Sequence, residues 1–325
     1  MELMAKIKVA VLRGGPSSEY EVSLKTGEAV LKHLNRETFE PLDVLIDKNA
    51  DWHVHGIKIS PSKIFKSVDV FFNAMHGEYG EDGKIQQILE THKVPFTGSG
   101  ALASATAMHK RLSKRIFELA GINTPRALSI TEKDDIPAMA AEAVRKMSLP
   151  LVIKPSSKGS SVGVSVARTI FDVILGIESA FKEDSEVLAE SYIPGREATC
   201  AVLENLRGEK HYAFPVVEIV PPARKSFFDY ESKYGGRTQE LCPGRFDTLD
   251  AEKMKRAAVA AHESLGCRHY SRSDFRITPN GKIYILELNT LPGLTSESLF
   301  PKAAASVGLE FSQLLSHLVN SALNR

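Results

Sequence analysis

Hydrophobic and polar positions alternate along this chain in a way that predicts its elements. Ile7-Lys-Val-Ala-Val-Leu12 reads as a buried strand, and Arg13-Gly-Gly-Pro-Ser-Ser-Glu19 as a glycine-rich turn opening a helix. Further apolar runs at Leu42–Ile46 and Val68–Phe72 give a β-α-β rhythm, the pattern of an open parallel sheet, over residues 1–97. From Ala101 to Leu119 apolar residues recur at helical spacing, and Gly121 supplies a C-terminal cap. Leu149–Ile153 then starts the sheet of a smaller α+β unit, residues 98–187. Strand-like runs at Val187–Leu203, Ala213–Val220 and Tyr270–Leu288 fill residues 188–325, where antiparallel sheet is expected; an amphipathic helix, Glu310–Leu323, closes the chain. The longest irregular stretch, Pro221–Phe246, is one that a compact domain seldom keeps without a functional reason.

Composition narrows this picture. A chain of 325 residues exceeds what one hydrophobic core usually serves, which agrees with several units. Lys and Arg number 41 and Asp and Glu 40, so no global positive field draws in nucleic acid, and any anion must meet a local cluster. Three widely spaced cysteines, Cys200, Cys242 and Cys267, fit neither a disulfide framework nor a cysteine zinc site and point to a reducing compartment. No apolar run approaches the length of a signal core or membrane span, so a cytoplasmic protein without membrane partners is expected.

The chemistry concentrates in Arg272-Ser-Asp274-Phe-Arg-Ile-Thr-Pro-Asn280-Gly281-Lys-Ile-Tyr-Ile-Leu-Glu287-Leu-Asn289. Asn-Gly between two strand-like runs is a strong hairpin signal. With those two residues as the turn, Pro279 faces Lys282, Asp274 faces Glu287, and Arg272 faces Asn289. Phe275 against Leu286 and Ile277 against Tyr284 form the opposite, apolar face. Two carboxylates directly across a sheet repel each other, and a divalent cation between them removes that cost. Asp, Glu and Asn are hard oxygen ligands that suit Mg²⁺ shared with phosphate oxygens. The competing reading is a solvated sheet face on which Arg272 neutralises Asp274.

Two glycine-rich segments offer phosphate sites. Lys154-Pro-Ser-Ser-Lys158-Gly-Ser160-Ser-Val-Gly163 is a strand end and loop whose backbone N–H groups can converge on phosphate oxygens. It is not a P-loop, because the lysines precede the glycines and no helix follows; plain turn chemistry also accounts for its Gly and Ser. Gly98-Ser-Gly100-Ala-Leu-Ala103 imitates a dinucleotide fingerprint and raises an NAD-dependent dehydrogenase as a rival. That pattern needs its acid at the end of a second strand, whereas Glu118 falls within the predicted helix.

Together these segments resemble the ATP-grasp ligases, and among them the D-alanine-D-alanine ligase family. The resemblance runs from Gly14-Gly-Pro-Ser-Ser-Glu-Tyr-Glu-Val-Ser23 through His76-Gly77, Thr97-Gly-Ser-Gly100, Lys154-Pro155 and Gly159-Ser-Ser-Val-Gly163. It continues through Phe228-Asp-Tyr-Glu-Ser-Lys-Tyr234 and Glu287-Leu-Asn-Thr-Leu-Pro-Gly293 to Ser298-Leu299. It implies an N-terminal Rossmann-like domain followed by two ATP-grasp subdomains, with residues 221–246 as a lid, and a chain that commonly pairs with a second copy through the first domain. The implied activity is ATP-dependent joining of two D-alanine molecules, through an acyl phosphate, for peptidoglycan synthesis. A D-lactate-using relative and an inactive nucleotide-binding relative are the alternatives, and Tyr234 favours the dipeptide over the D-lactate product.

The resemblance also assigns roles. Asp274, Glu287 and Asn289 match ligands of two Mg²⁺ ions, for which Mn²⁺ can substitute; Arg272 and Gly293 match the groups that stabilise the oxyanion. Lys110, Lys154 and Lys233 match lysines on the ATP phosphates, Glu190-Ser191-Tyr-Ile193 the stretch lining adenine, and Glu197 the acid on the ribose. Some members carry Lys where this chain has Ser191, a departure from the pattern at that contact. Glu19 and His76 match the seat of the first D-alanine, and Ser298 and Leu299 that of the second. Ser160 and Tyr234 match the groups that, with Glu19, tie a mobile loop over the site. Ser18 followed by Glu21 fits a capping box, which leaves Glu19 at the helix start for substrate.

Overall fold

The computed structural model describes residues 5–221 and 238–324, arranged around three sheets. The first has the order β4-β3-β2-β1-β5. Its strands are β1 (Ile7–Gly14), β2 (Phe39–Ile46), β3 (Trp52–Val54), β4 (Ile57–Lys58) and β5 (Val70–Asn73). β1 runs parallel to both β2 and β5, as the sequence rhythm predicts. The sheet is nevertheless mixed, because β3 and β4 add antiparallel at its edge. β1 is apolar throughout its middle because both faces are covered: Val9 and Val11 pack into one core, Ala10 and Leu12 into another.

The second sheet has four antiparallel strands in the order β6-β9-β7-β8: β6 (Ala127–Thr131), β7 (Leu151–Pro155), β8 (Ser165–Ala167) and β9 (Glu186–Ser191). β9 crosses the division drawn at residue 187 and pairs with β6 and β7 in this small sheet. Helices Ile136–Met147 and Ile170–Ala180 complete its core. The third sheet is antiparallel, with the order β13-β12-β10-β14-β15 and β11 also on β10. Its strands are β10 (Arg196–Leu206), β11 (Glu209–Ala213), β12 (Val217–Val220), β13 (Gln239–Leu241), β14 (Tyr270–Ile277) and β15 (Ile283–Asn289). Helix Thr248–Ser264 covers one face through Met254, Ala258 and Ala261 against Ala198, Cys200 and Val202. On the other face Ala201, Leu203 and Ile219 join a core that includes helix Phe311–Leu323 and the first sheet, so that closing helix ties the two ends of the chain together.

Several local expectations are corrected. The helix predicted from Ala101 to Leu119 is two helices, Ala101–Met108 and Lys110–Leu119, broken at His109, whose ψ of 97 is extended. The side chain of Ser156 holds His109 Nδ1 at 3.0 Å, and the Lys110 N–H leaves the helical ladder for the Ser156 carbonyl at 2.8 Å. Part of the expected irregular stretch, Gln239–Leu241, is strand. Residues 222–237, with Lys233 and Tyr234, lie outside the described residues.

The hairpin register is the most instructive case. Its turn is one residue longer than two: the Thr278 N–H donates to Lys282 O at 3.0 Å, leaving Pro279-Asn280-Gly281 as the loop, with Gly281 at φ +74. Pairing next to the turn is accordingly Ile277 with Ile283 and Phe275 with Ile285, not with Tyr284 and Leu286. Carried onward, that shift would slide Glu287 off Asp274 and turn it to the other face. A β-bulge between Asp274 and Phe275 absorbs Leu286 as the extra residue, and Asp274 pairs with Glu287 and Arg272 with Asn289 as expected.

Candidate functional site

The three sheets surround a cavity of about 1280 Å³. Its wall takes Glu19 and His76 from the first unit, Gly159 and Ser160 from the loop between β7 and β8, and Lys110. The third sheet contributes Glu197, Arg272, Asp274, Glu287 and Asn289, followed by Gly293, Ser298 and Leu299. Residues scattered from 19 to 299 thus meet in one space.

On the sheet face, Arg272 forks onto Asp274, with Nε and Nη2 each 3.0 Å from a carboxylate oxygen. Thr199, from the neighbouring β10, donates to Asp274 Oδ1 at 2.7 Å. Burial opposes the charge on Arg272, but Asp274 and then Glu287 outweigh it and raise the guanidinium above its ordinary value. Glu287 Oε2 lies 3.7 Å from Lys110 Nζ. Asn289 Oδ1 accepts the Leu291 N–H at 2.7 Å, which orients the carboxamide. The neutralising reading of Arg272 is therefore real, yet it does not exhaust the acids. Each carboxylate oxygen carries two lone pairs; Arg272 and Thr199 occupy both on Asp274 Oδ1, and the fork leaves one on Oδ2. The donor set is three hard oxygen groups on one face, and it fits a divalent ion of the Mg²⁺ type.

Facing this sheet, the Gly159-Ser160 loop is tied to Lys110, whose Nζ donates to Lys158 O at 2.5 Å. Ser160 and Ser161 take positive φ values of 49 and 59, turning the loop sharply beside Glu19. A Cβ added to Gly159 would come within 3.1 Å of Glu19 Oε1, so glycine here permits the approach. Behind this wall, Lys154 and Glu190 project from the small sheet and do not line the cavity; neither do Ser191 and Ile193. Glu190, 2% exposed, is flanked by Lys154 Nζ at 2.8 Å and Lys114 Nζ at 3.0 Å. Burial pushes the Glu190 carboxyl up, but the two lysines outweigh it and hold it below the ordinary value. Burial lowers the Lys114 ammonium, more than Glu190 can restore. One acid between two lysines leaves this cluster net positive.

At the first unit, Glu19 is itself the N-cap of helix Tyr20–His33 and makes no side-chain cap bond. The capping box expected from Ser18 and Glu21 does not form; the Glu19 N–H goes to Ser17 Oγ at 3.1 Å, and Ser17 donates to His76 O at 2.7 Å. Both nitrogens of buried His76 are engaged, Nε2 with Thr26 Oγ1 at 2.8 Å and Nδ1 with Glu81 Oε1 at 3.2 Å, so the ring is fixed in place. Ser298 Oγ accepts the Thr295 N–H at 3.1 Å, and a Cβ on Gly293 would come within 2.8 Å of that oxygen. Glu197 sits opposite Arg276 in the register, with the charged ends 4.0 Å apart. Sequence reasoning missed Lys114 and Thr199. Lys114 was within reach of it: Lys110, Ser113, Lys114 and Phe117 form the buried stripe of their helix, a spacing that sets two lysines on the inner face.

Comparison with known proteins agrees with this geometry. The family profile described as D-ala D-ala ligase N-terminus matches residues 8–66 and 56–99, and that described as D-ala D-ala ligase C-terminus matches residues 116–320. D-alanine--D-alanine ligase of Pelotomaculum thermopropionicum is 40% identical over 322 residues, covering 98% of this chain and 97% of that protein. The enzyme of the same name from Geotalea uraniireducens is 39% identical over 322 residues, covering 99% and 97%. Among solved structures, VanG D-Ala:D-Ser ligase from Enterococcus faecalis superposes with a TM-score of 0.85 at 32% identity, covering 98% of this chain and 100% of that one. D-alanine--D-alanine ligase from Bacillus anthracis complexed with ATP gives 0.82 at 31%, covering 98% of each chain. The chain belongs to the D-alanine-D-alanine ligase family of ATP-dependent ligases.

Proposed function

We propose that this chain joins two D-alanine molecules into D-alanyl-D-alanine, driven by conversion of ATP to ADP and phosphate, with a D-alanyl phosphate between the two halves. The observation that carries this reading is the side-by-side pair Asp274 and Glu287, next to Arg272, facing the Gly159-Ser160 loop across one cavity. Such a face suits a triphosphate bridged to the sheet by cations.

In the first half-reaction, a carboxylate oxygen of D-alanine takes the γ-phosphoryl group and ADP leaves. Asp274, Glu287 and Asn289 would hold two Mg²⁺ ions, or Mn²⁺, which neutralise charge on the transferring phosphoryl group when bound. Lys110, Lys154 and Lys233 hold the phosphates. Lys154 retains N–H donors beyond its contact with Glu190, since an ammonium has three. The stretch Glu190-Ser191-Tyr-Ile193 borders the adenine and Glu197 binds the ribose. Glu19 receives the substrate ammonium beside His76, whose ring is locked by Thr26 and Glu81. In the second half-reaction, the neutral amine of another D-alanine attacks the acyl carbon, the bond from that carbon to the phosphate oxygen breaks, and the nitrogen gives up a proton as phosphate leaves. Arg272 and the Gly293 N–H stabilise the oxyanion, while Ser298 and Leu299 seat the second carboxylate. Ser160 closes the loop against Glu19 and keeps water from the acyl phosphate. The dipeptide would serve peptidoglycan synthesis.

The test is phosphate release with ATP, Mg²⁺ and D-alanine, repeated with L-alanine and with D-serine or D-lactate as second substrate. Release with D-alanine alone, accompanied by dipeptide, is the expected result. No release with D-alanine in any combination overturns the reading, and release only with D-lactate present moves it to an ester-forming relative.

A further inference from the structure

On the face of the third sheet that lies away from the cavity, Glu204, His211 and His262 bring their ligand atoms within 4.8 Å of one another. Three elements supply them. Glu204 is near the end of β10, His211 is directly opposite it on β11, and His262 is in the last turn of helix Thr248–Ser264. The tight turn that sets the first two face to face uses Arg207 and Gly208, both at positive φ (54 and 82). Glu204 lies seven positions beyond Glu197 on β10, so it is on the opposite face and about 23 Å along the strand from the proposed ribose contact.

The local bonding orients all three groups toward one point. Glu204 Oε2 accepts the His269 N–H at 2.7 Å, which turns Oε1 toward the two rings. His262 Nε2 is 3.5 Å from that Oε1 and His211 Nε2 is 3.7 Å from it. The outer nitrogens are anchored: His211 Nδ1 meets Glu263 Oε1 at 2.9 Å, and His262 Nδ1 meets Ser271 Oγ at 2.7 Å. A ring that donates from Nδ1 presents a bare lone pair at Nε2 when neutral. In the tautomer with Nδ1 protonated on both rings, the two Nε2 lone pairs converge on a carboxylate oxygen, which is repulsive unless a cation lies between them. His262 has no exposed surface, and among the described residues its Nε2 has no hydrogen-bond partner. Ligands on a tetrahedral Zn²⁺ lie about 3.3 Å apart; the two imidazole-to-carboxylate distances exceed that by a few tenths of an ångström, and all three ligand atoms lie within 4.8 Å of one another. Two imidazoles and one carboxylate favour Zn²⁺ and its neighbours over Mg²⁺, and acceptors behind each imidazole are the usual support of such ligands.

We propose that Glu204, His211 and His262 form a divalent transition-metal site, suited to Zn²⁺, that clamps the β10–β11 hairpin to helix Thr248–Ser264. Three protein ligands leave a fourth position for water on the side of Glu263, whose side chain is half exposed while that of His211 is nearly buried. The site is separate from the oxygen face at Asp274, Glu287 and Asn289 in position and in ligand chemistry.

The tag-free, full-length chain, stripped by a chelator and returned to Mg²⁺ buffer, is titrated with Zn²⁺ against a chromogenic indicator, and separately with Co²⁺ followed by visible absorption. One tight equivalent of Zn²⁺ is expected, with intense Co²⁺ bands of a low-coordinate site and a rise in the melting temperature. His211→Ala should lose that equivalent, those bands and the rise; Glu204→Gln, which keeps the side-chain shape, should do the same. Glu263→Gln should weaken Zn²⁺ by about ten-fold through loss of the supporting acceptor. ATP-dependent turnover in Mg²⁺ should persist in all three variants. If the unmodified chain takes up no tight Zn²⁺, the two rings hold protons and the proposal falls. Equal uptake by the unmodified chain, His211→Ala and Glu204→Gln puts the metal elsewhere and overturns it as well.

Discussion

Two charged clusters flank the proposed ATP position, and they are built on opposite plans. The Glu190 cluster is closed: a single carboxylate, 2% exposed, between Lys114 and Lys154. The hairpin cluster is open: Arg272 is committed to Asp274, and Glu287 faces the cavity with its side chain 34% exposed. One is net positive and buried; the other sets two acids against Arg272 and Lys110 and keeps an acid reachable from the cavity. The difference teaches that charge type does not decide function. A buried cluster must satisfy its own charges to exist at all, so it contributes to stability and a fixed potential and leaves only the spare donors of Lys154 for a phosphate. An open cluster can leave charge to be completed by ligand, so it contributes chiefly to chemistry.

The comparison can be broken from either side. Glu287→Gln should cut ATP-dependent phosphate release by about 10²–10³-fold, because a charge that acts in the transition state is lost. Its melting temperature should hold or rise slightly, since a carboxylate opposite Asp274 is removed; a large drop in stability would show that the open cluster is structural. Glu190→Gln should do the reverse in kind. It leaves two buried lysines without their counter-ion and should cost about 3 kcal/mol in urea unfolding. Unchanged stability would put that cluster among solvated charges.

A smaller effect follows from pH. The Glu190 carboxyl is depressed in the folded chain, so the unfolded chain binds the proton first as pH falls. The stability it contributes is complete above the ordinary glutamate value of about 4.3 and is lost as pH drops through the lower folded value. Melting curves of the unmodified chain and of Glu190→Gln should therefore converge on acidification; parallel curves would mean that Glu190 is not held low. The smallest expected change is for Gly159→Ala, whose methyl would press on Glu19 Oε1 from 3.1 Å. A shift of a few tenths of an ångström should lower kcat/KM for D-alanine by about ten-fold or less, with ATP affinity preserved.

Much of this was legible in the sequence because buried strands and paired carboxylates follow simple periodic rules. The parallel β1, β2 and β5 and the face shared by Arg272, Asp274, Glu287 and Asn289 emerged that way. The hairpin pairing came out right at its functional end through two deviations that cancel, a longer turn and a bulge at Leu286, neither of which a period of two can reveal. The break at His109 was hidden because apolar spacing continues across it; what ends the helix there is a tertiary bond to Ser156. β3 and β4 were missed because they are three and two residues long, too short for an alternation to register, and β4 is exposed. Lys114 was passed over because a lysine reads as surface until its helix face is counted.

The break at His109 has a mechanical consequence. Lys110 is fastened to the glycine-serine loop twice, by its N–H to Ser156 and by its Nζ to Lys158. The loop and the start of helix Lys110–Leu119 are thus geared together, so that displacing one drags the other, and a ligand that reshapes the loop repositions a cation beside Glu287 in the same stroke.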